Sequence, residues 1–403
     1  MKKLLIFFIV MNFIVINSFS EEILLNTEIS SPYQIFEKGK LTGTSVKILE
    51  CIFQKLNKPY KIDIVPWKRA QYNVKRNKVN GFFTTIPFAE ADEYAVISSP
   101  IILEKWYFYY KDKKFLTQNP KNLKIGTIRW SNQSNWLLSD GYSISSEVFK
   151  FTQLLKMLNL GRIDTCLLDQ KTFELECSKH NVNINKYLFK FCKYTPLGVY
   201  FSKNYLKNNP LFLKRFNEEI YVCAPDAIKL SKHEVQTLHN STIIKIKKWM
   251  NNPLIINMVK SQNEKNKLLN QSEILKLDNQ WRIEFKSENY SLIEKISSNS
   301  LSQFLKKIKI ESNGLYSEIF VMDNKGLNIG QSDKTSDYWQ GDEAKFQKTF
   351  QNKASIFVDQ IEYDESSRKF QVQISFILND PILQTPIGAL TVGVDLEKAL
   401  KRL

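Results

Sequence analysis

The sequence contains only three histidines and five cysteines in 403 residues. So few histidines argue against a histidine-rich metal site, and the lack of a Cys-x-x-Cys pair argues against a zinc ribbon or a disulfide-dense scaffold. Long apolar runs are also scarce. The one at 4–16 is shorter than the roughly 20 residues that span a bilayer, so a polytopic membrane protein is excluded.

The N-terminus has the pattern of an export signal. Lys2 and Lys3 precede the apolar run, and Ser18 and Ser20 place small residues where a signal peptidase would cleave before Glu21. We therefore expect a signal peptide at 1–20 and a periplasmic, mature protein that begins near Glu21. Because no cysteine follows the cleavage point, we expect no lipoprotein anchor.

Positive charge is unevenly distributed along the chain. The formal net charge is +16, yet residues 275–403 carry 17 basic and 18 acidic residues. This break predicts a domain boundary in the 260s or 270s. The basic part lacks interleaved nucleic-acid motifs, so with export we expect no nucleic-acid partner. A basic surface of this kind suits an approach to an anionic membrane face or an acidic receptor.

The first half alternates short apolar strands with amphipathic helices. This order indicates parallel sheets covered by helices, in two α/β lobes with a cleft between them. The predicted strands are 23–27, 60–65, 81–85, 124–128, 165–168 and 197–201, and the predicted helices are 46–56, 67–77, 152–160 and 210–222.

Several motifs in this half follow the order and spacing of a known family. They are Ser-Pro-Tyr-Gln-Ile at 31–35, Asn-Gly-Phe at 80–82, Tyr-Ala-Val-Ile-Ser-Ser-Pro at 94–100, Lys-Ile-Gly at 124–126 and Gly-Arg-Ile-Asp at 161–164. The segment resembles bacterial extracellular solute-binding proteins of family 3, a type II periplasmic binding protein-like fold. The resemblance implies a domain at 21–230 whose two lobes close on a small polar solute, with hinge strands near 98–102 and 194–197.

The same resemblance implies a set of ligand-binding residues. Tyr33 matches a stacking aromatic, and Asp169 matches the aspartate that pairs with a ligand ammonium. Asp92 stands where amino-acid-binding members carry an arginine, so we expect an amine-containing or neutral solute rather than a plain amino acid. Alternatively, Asp92 is only a solvated loop charge. The remaining lobe candidates are Trp67, Arg69, Thr84, Trp106 and Ser131.

Structural roles compete with some of these assignments. Trp106 begins a run of aromatic residues that also reads as a strand with alternate side chains in the core. Arg69 could equally pair with a carboxylate on its own helix. Among the cysteines, Cys177 and Cys192 are the candidate bridge, while Cys51 and Cys166 are expected to be buried as small hydrophobic residues.

The second half predicts a different module. Ser231 and Glu234 have capping-box spacing, which opens a helical linker at 231–274. Residues 275–403 read as a long helix followed by antiparallel hairpins, an α+β layout. Their motifs at 318–332, 335–343 and 386–395 resemble PDC sensor domains of the Cache superfamily, which are PAS-like.

That resemblance places a second small-molecule pocket in the C-terminal module. It implies ligand contacts from Asp323, Asp337, Tyr338 and Trp339, although these residues could instead be structural. Regular Asp-x-Asp-x-Asp calcium-loop spacing is missing, and we expect no bound metal or cofactor.

These features predict a periplasmic solute-binding or sensor protein that passes its solute or signal to a membrane transporter or sensor. One alternative is a regulatory sensor whose PDC domain holds the ligand while the lobes dock on a partner. A remote alternative is a cell-wall enzyme, but no catalytic arrangement is legible, so we expect a non-enzyme.

Overall fold

The computed structural model describes residues 21–225, 228–287, 290–364 and 369–401. The chain forms two compact units. Unit 1 comprises the residues up to Ile102 together with Pro196–Ala224, and unit 2 comprises Leu103–Thr195 together with the residues from Pro225 onward. The predicted signal peptide lies outside the described residues.

The compact units do not follow the predicted domain boundaries, because 103–195 packs with the residues after 225. The division into a solute-binding domain, a linker and a sensor domain stays a prediction. In the described part of the chain, no helix has the length and apolar character needed to cross a membrane.

Sixteen strands are present in the described residues. In chain order they are β1 Ile23–Thr27, β2 Ile35–Glu37, β3 Lys40–Thr42, β4 Tyr60–Ile64, β5 Gly81–Thr85, β6 Ala95–Ile97, β7 Ile102–Tyr110, β8 Ile125–Ile128, β9 Ile144–Val148, β10 Thr165–Asp169, β11 Leu188–Ser202, β12 Tyr316–Met322, β13 Asn328–Gln331, β14 Ile356–Asp364, β15 Lys369–Asn379 and β16 Pro386–Asp395.

Sixteen α-helices accompany them in the same described ranges. They are α1 Thr44–Lys55, α2 Trp67–Lys75, α3 Ala89–Asp92, α4 Asn132–Ser139, α5 Phe151–Asn159, α6 Gln170–Lys179, α7 Lys203–Asn208, α8 Phe212–Cys223, α9 Lys232–Leu238, α10 Ile244–Trp249, α11 Pro253–Lys265, α12 Gln271–Phe285, α13 Ser291–Ser297, α14 Ser300–Glu311, α15 Ala344–Phe346 and α16 Leu396–Lys401.

Unit 1 is built on a parallel sheet, as the alternating pattern predicts. Strand β1 pairs in parallel with β4 on one side and β5 on the other. The last residues of β11 run antiparallel to β5 and β6. Helix α1 buries Leu49, Ile52 and Phe53 completely, so its apolar stripe forms part of the core.

The first part of unit 2 repeats this design. Strand β8 lies between β9 and β10 and is parallel to both, while β7 runs antiparallel to β10. Helix α5 covers the sheet with Leu154 and Leu158, which are buried in the core. The parallel pairing again confirms the strand and helix pattern read from the sequence.

The C-terminal part of unit 2 contains a five-stranded antiparallel sheet in the order β13-β12-β16-β15-β14. Helix α14 packs on this sheet, and a Cβ added at Gly330 would lie only 2.5 Å from Leu301 Cγ, so a larger residue would not fit there without a shift. Strands β12 and β16 and the β14–β15 hairpin confirm the predicted α+β layout. The predicted hairpin turn at 364–369 lies largely outside the described residues.

The predicted Cys177–Cys192 bridge is wrong. The disulfide joins Cys51 on α1 to Cys223 at the end of α8, and Cys177 and Cys192 are free. These two thiols belong to different hydrophobic clusters of unit 2, which explains why they do not meet. Cys166 is fully buried in β10, as expected for a small hydrophobic residue.

Candidate functional site

Both units gather predicted site residues where parallel strands end. In open α/β sheets, ligands bind outside the carboxyl ends of the strands. In unit 1, Thr84 lies at the end of β5 and Trp67 follows β4. In unit 2, Asp169 ends β10 and Ser131 follows β8.

At the unit 1 edge, Tyr33 is almost fully buried and is therefore a wall rather than a free stacking platform. The neighbouring Gln34 donates its side-chain amide to the Thr84 hydroxyl. The other amide atom of Gln34, Oε1, is buried and accepts no hydrogen bond from the described residues. A buried acceptor without a donor is costly, so this atom is suited to a ligand donor or a water molecule.

Trp67 and Arg69 lie on α2 of the same unit. Trp67 is partly buried and packs edge-on against Phe82, with ring centroids 5.3 Å apart. This contact anchors the indole to the core of unit 1. Arg69 is exposed on α2 and contributes positive charge to the surface of the unit.

Asp92 makes a specific contact inside unit 1. Tyr200 donates its hydroxyl to Asp92 Oδ1 at 2.7 Å, and the same hydroxyl accepts from the backbone N–H of Phe88 at 3.0 Å. Burial and the Asp92 hydrogen bond raise the pKa of Tyr200. Asp92 therefore fixes the end of α3 against the sheet, rather than being only a solvated loop charge.

At the unit 2 edge, Asp169 is 2% exposed and caps α6. Its Oδ2 accepts from the backbone N–H and the hydroxyl of Thr172, at 3.0 and 3.1 Å. Its Oδ1 accepts from the backbone N–H of Lys105 at 3.1 Å. These three hydrogen bonds hold the Asp169 carboxyl group in a fixed orientation.

A second carboxyl group lies beside it. Glu104 is 7% exposed, and its Oε2 accepts from the indole N–H of Trp106 at 2.7 Å. Burial, reinforced by the charge of Asp169, raises the pKa of Glu104 to about 8 despite this hydrogen bond. A cation bound beside these two carboxyl groups would favour the ionised form of Glu104, so the pair suits a ligand that carries an ammonium group.

Trp106 itself is 1% exposed and belongs to a hydrophobic cluster of unit 2. The structure therefore shows it as a core residue that positions Glu104, in keeping with the strand alternative considered from the sequence. Its ring lies 5.9 Å from that of Trp136, in an edge-to-face arrangement.

An exposed aromatic pair follows β8 and β9 of unit 2. Trp130 is 77% exposed and Phe149 is 60% exposed, with ring centroids 5.7 Å apart. Trp130 has a φ of 64°, a left-handed conformation that is uncommon for a bulky residue and is found at functional sites. Arg129 lies over the Phe149 ring at 5.0 Å. Ser131 caps α4 by accepting from the backbone N–H of Ser134.

Asp169 also lines a cavity of about 230 Å³ within unit 2. Its other charged lining residues are Lys105, Lys171, Glu174 and Lys229. Lys105 donates through Nζ to Glu234 Oε2 at 2.6 Å, and the Glu234 side chain is fully buried. The cavity thus has one wall from the residues before 195 and another from the residues after 225.

The four predicted C-terminal site residues make internal contacts in unit 2. Asp323 is fully buried and accepts from Asn266 Nδ2 and from the backbone N–H groups of Lys325 and Leu327. This geometry explains the tight turn predicted at 323–326. Burial raises the pKa of Asp323, against these hydrogen bonds.

The segment 337–339 is held by helix α12. Asp278 Oδ1 accepts from the backbone N–H groups of Tyr338 and Trp339, at 2.9 and 3.0 Å. The Tyr338 ring stacks on Trp281 at 5.2 Å, and Asp337 pairs with Arg282 at 3.0 Å. These contacts favour the structural interpretation of the segment.

The two edges therefore differ in what they bring together. In unit 1, Gln34 and Thr84 meet, whereas Asp92 contacts Tyr200. In unit 2, Asp169 meets Glu104 and Lys105, two neighbours that sequence reasoning did not select. A signal for Glu104 existed, since an acid inside the apolar run 101–110 has to be buried. Within the described ranges, no three histidine, cysteine or acidic residues are grouped to hold a metal ion.

Comparisons with known proteins give structural likeness only. No family model matches the chain, and no curated protein matches it. It is similar to a histidine kinase sensor domain that resembles periplasmic binding proteins, with a TM-score of 0.39 and 12% identity over 50% of this chain and 90% of that one.

Two further solved structures have comparable scores. One is a substrate-binding protein of an ABC uptake transporter from Streptococcus pneumoniae with bound histidine, with a TM-score of 0.39 and 15% identity over 51% of this chain and 87% of that one. The other is the L-cystine solute receptor of Neisseria gonorrhoeae, with a TM-score of 0.42 and 17% identity over 52% of this chain and 90% of that one.

Proposed function

We propose that the protein is an exported solute-binding or sensor protein that captures a small amine-containing solute at the unit 2 edge. The supporting observation is Asp169, a rigidly held, buried carboxylate that lines a cavity and lies beside Glu104. The exposed rings of Trp130 and Phe149 at the ends of neighbouring strands suit stacking or cation–π contact with such a solute. Its action is binding, without catalysis.

The proposal includes a partner and a second module. The solute, or the signal of its binding, passes to a membrane transporter or sensor. Residues 275–403 form the PDC/Cache-like module, supported by the sequence resemblance and by the five-stranded antiparallel sheet preceded by α12. The internal contacts of Asp323 and Asp337 make this module a weaker candidate for the ligand pocket than the Asp169 cavity.

A thermal-shift screen of the mature chain tests this function. Polyamines, monoamines, amino acids, organic acids and sugars are compared. A solute at a hundred times its Kd stabilises the folded state by about 2.7 kcal/mol. We expect amines to raise the melting temperature by roughly 3 °C at this concentration. If organic acids or sugars alone shift it, the assignment of an amine is refuted.

Two matched variants locate the site. Asp169→Asn removes the charge but keeps a good helix cap, so it should fold and lose about 2–5 kcal/mol of amine binding. Asp337→Asn is the control in the C-terminal module. If Asp337→Asn abolishes the shift and Asp169→Asn does not, the ligand belongs to the C-terminal module instead.

A further inference from the structure

A groove on the surface of unit 1 follows one side of helix α2. Its volume is about 520 Å³, and its lining includes Lys68, Tyr72, Lys75, Arg76, Glu90 and Tyr94. All of these residues belong to unit 1. We call it the α2 groove. None of these lining residues is a candidate for solute binding, although the groove lies along the helix that also carries Trp67 and Arg69.

The α2 groove has an uncompensated positive charge. Three of its lining residues are cations and only Glu90 is an acid. Among the ion pairs of the described residues, none involves Lys68, Lys75 or Arg76. Elsewhere in unit 1 a helix surface lysine, Lys214, does lie near a carboxylate, Glu218, at 4.0 Å. The groove therefore attracts anions.

Two tyrosine rings position Lys75, Arg76 and the nearby Lys78. Lys75 Nζ lies 5.7 Å from the centre of the Tyr94 ring. Arg76 Cζ and Lys78 Nζ lie 5.7 and 5.4 Å from the centre of the Tyr72 ring. A ring face holds a cation in place without neutralising it, so the charged groups are partly ordered before a partner arrives.

We propose that the α2 groove binds an acidic peptide segment of a partner protein. A groove is concave and accepts an extended chain, and arginine beside lysine is the usual recognition pattern for acidic motifs. A bilayer surface fits less well, because no aliphatic side chain is among the groove's lining residues to enter the lipid. The proposal concerns unit 1 alone and does not depend on the solute.

The test measures binding of a fluorescein-labelled hexaglutamate peptide to the full mature chain by fluorescence anisotropy. We expect saturable binding that weakens as sodium chloride rises from 50 to 500 mM, and none to hexaglutamine. Lys75→Gln/Arg76→Gln should weaken binding about tenfold. Tyr72→Leu keeps every charge and should weaken it about two- to threefold, because the cations lose their platform.

The matched control is Lys214→Gln/Arg215→Gln, an adjacent Lys-Arg pair on α8 of the same unit. It changes the net charge equally and should leave hexaglutamate binding within twofold. Equal losses in both double variants would mean that only overall charge attracts the peptide, which overturns the proposal. Binding to vesicles containing phosphatidylglycerol without binding to hexaglutamate would overturn it in favour of a membrane surface.

Discussion

Glu104 makes the stability of unit 2 depend on pH in a direction opposite to that of an acid whose pKa is lowered by folding. Burial and the neighbouring Asp169 raise the pKa of Glu104 from 4.5 to about 8. Between these two pH values the unfolded chain releases the proton and the folded protein keeps it. Because the folded state then binds more protons, the free energy of unfolding falls as the pH rises through this window.

The size of the effect follows from the two pKa values. Each pH unit inside the window removes up to about 1.4 kcal/mol. Between pH 6 and pH 8, where the folded group begins to titrate, the loss is about 2 kcal/mol. Glu104→Gln removes the titration while its amide oxygen still accepts from the Trp106 indole.

The assay compares urea unfolding of the wild type and Glu104→Gln at pH 6 and pH 8, followed by tryptophan fluorescence. Subtracting one protein from the other cancels the groups that titrate in both. From pH 6 to pH 8, we expect the free energy of unfolding of the wild type to fall by about 2 kcal/mol relative to that of the variant. A difference that does not change with pH, or one that changes in the opposite direction, would refute the reasoning.

Three further predictions concern the contacts that hold the fold. The Cys51–Cys223 bridge spans 172 residues, so a double serine variant should lose up to about 5 kcal/mol of unfolding free energy, measured by urea unfolding. The unreduced wild type should show three free thiols on denaturation. Lys105→Met alone should cost about 3–5 kcal/mol because it leaves Glu234 buried without its cation, and a Lys105→Met/Glu234→Gln double variant should recover much of the loss. Asp323→Ala should cost about 3 kcal/mol in urea unfolding, since its turn loses its acceptor, whereas a residue reserved for ligand would cost little.

Local patterns predicted the elements of this chain well. Strands β1 and β5 begin and end where the sequence places them, because each is a short apolar run bounded by polar or turn residues. The capping box of Ser231 and Glu234 also forms as predicted, since its hydrogen bonds join residues three apart. Such features depend on near neighbours in the chain, which a single sequence displays.

Contacts between distant residues could not be predicted in the same way. Cys51 meets Cys223 only because α1 and α8 pack in the same unit. The sequence offers two interpretations of Asp92, a carboxylate in place of a ligand-binding arginine or a loop charge, whereas its partner Tyr200 lies 108 residues away. The sequence signals that a polar group needs a partner, but the fold decides which residue supplies it.

Lys105 joins the Asp169 edge to helix α9 through two hydrogen bonds within unit 2. Its backbone N–H donates to Asp169 at 3.1 Å, and its Nζ donates to Glu234 at 2.6 Å. Glu234 in turn caps α9 and accepts from the Tyr194 hydroxyl at 2.6 Å. A solute that displaces the Lys105 amide from Asp169 would therefore disturb the start of α9 through Lys105 and Glu234. Separating the chain near 265 would keep these four residues but would remove Phe370, whose ring lies 5.3 Å from that of Tyr194, so solute binding has to be measured on the whole chain.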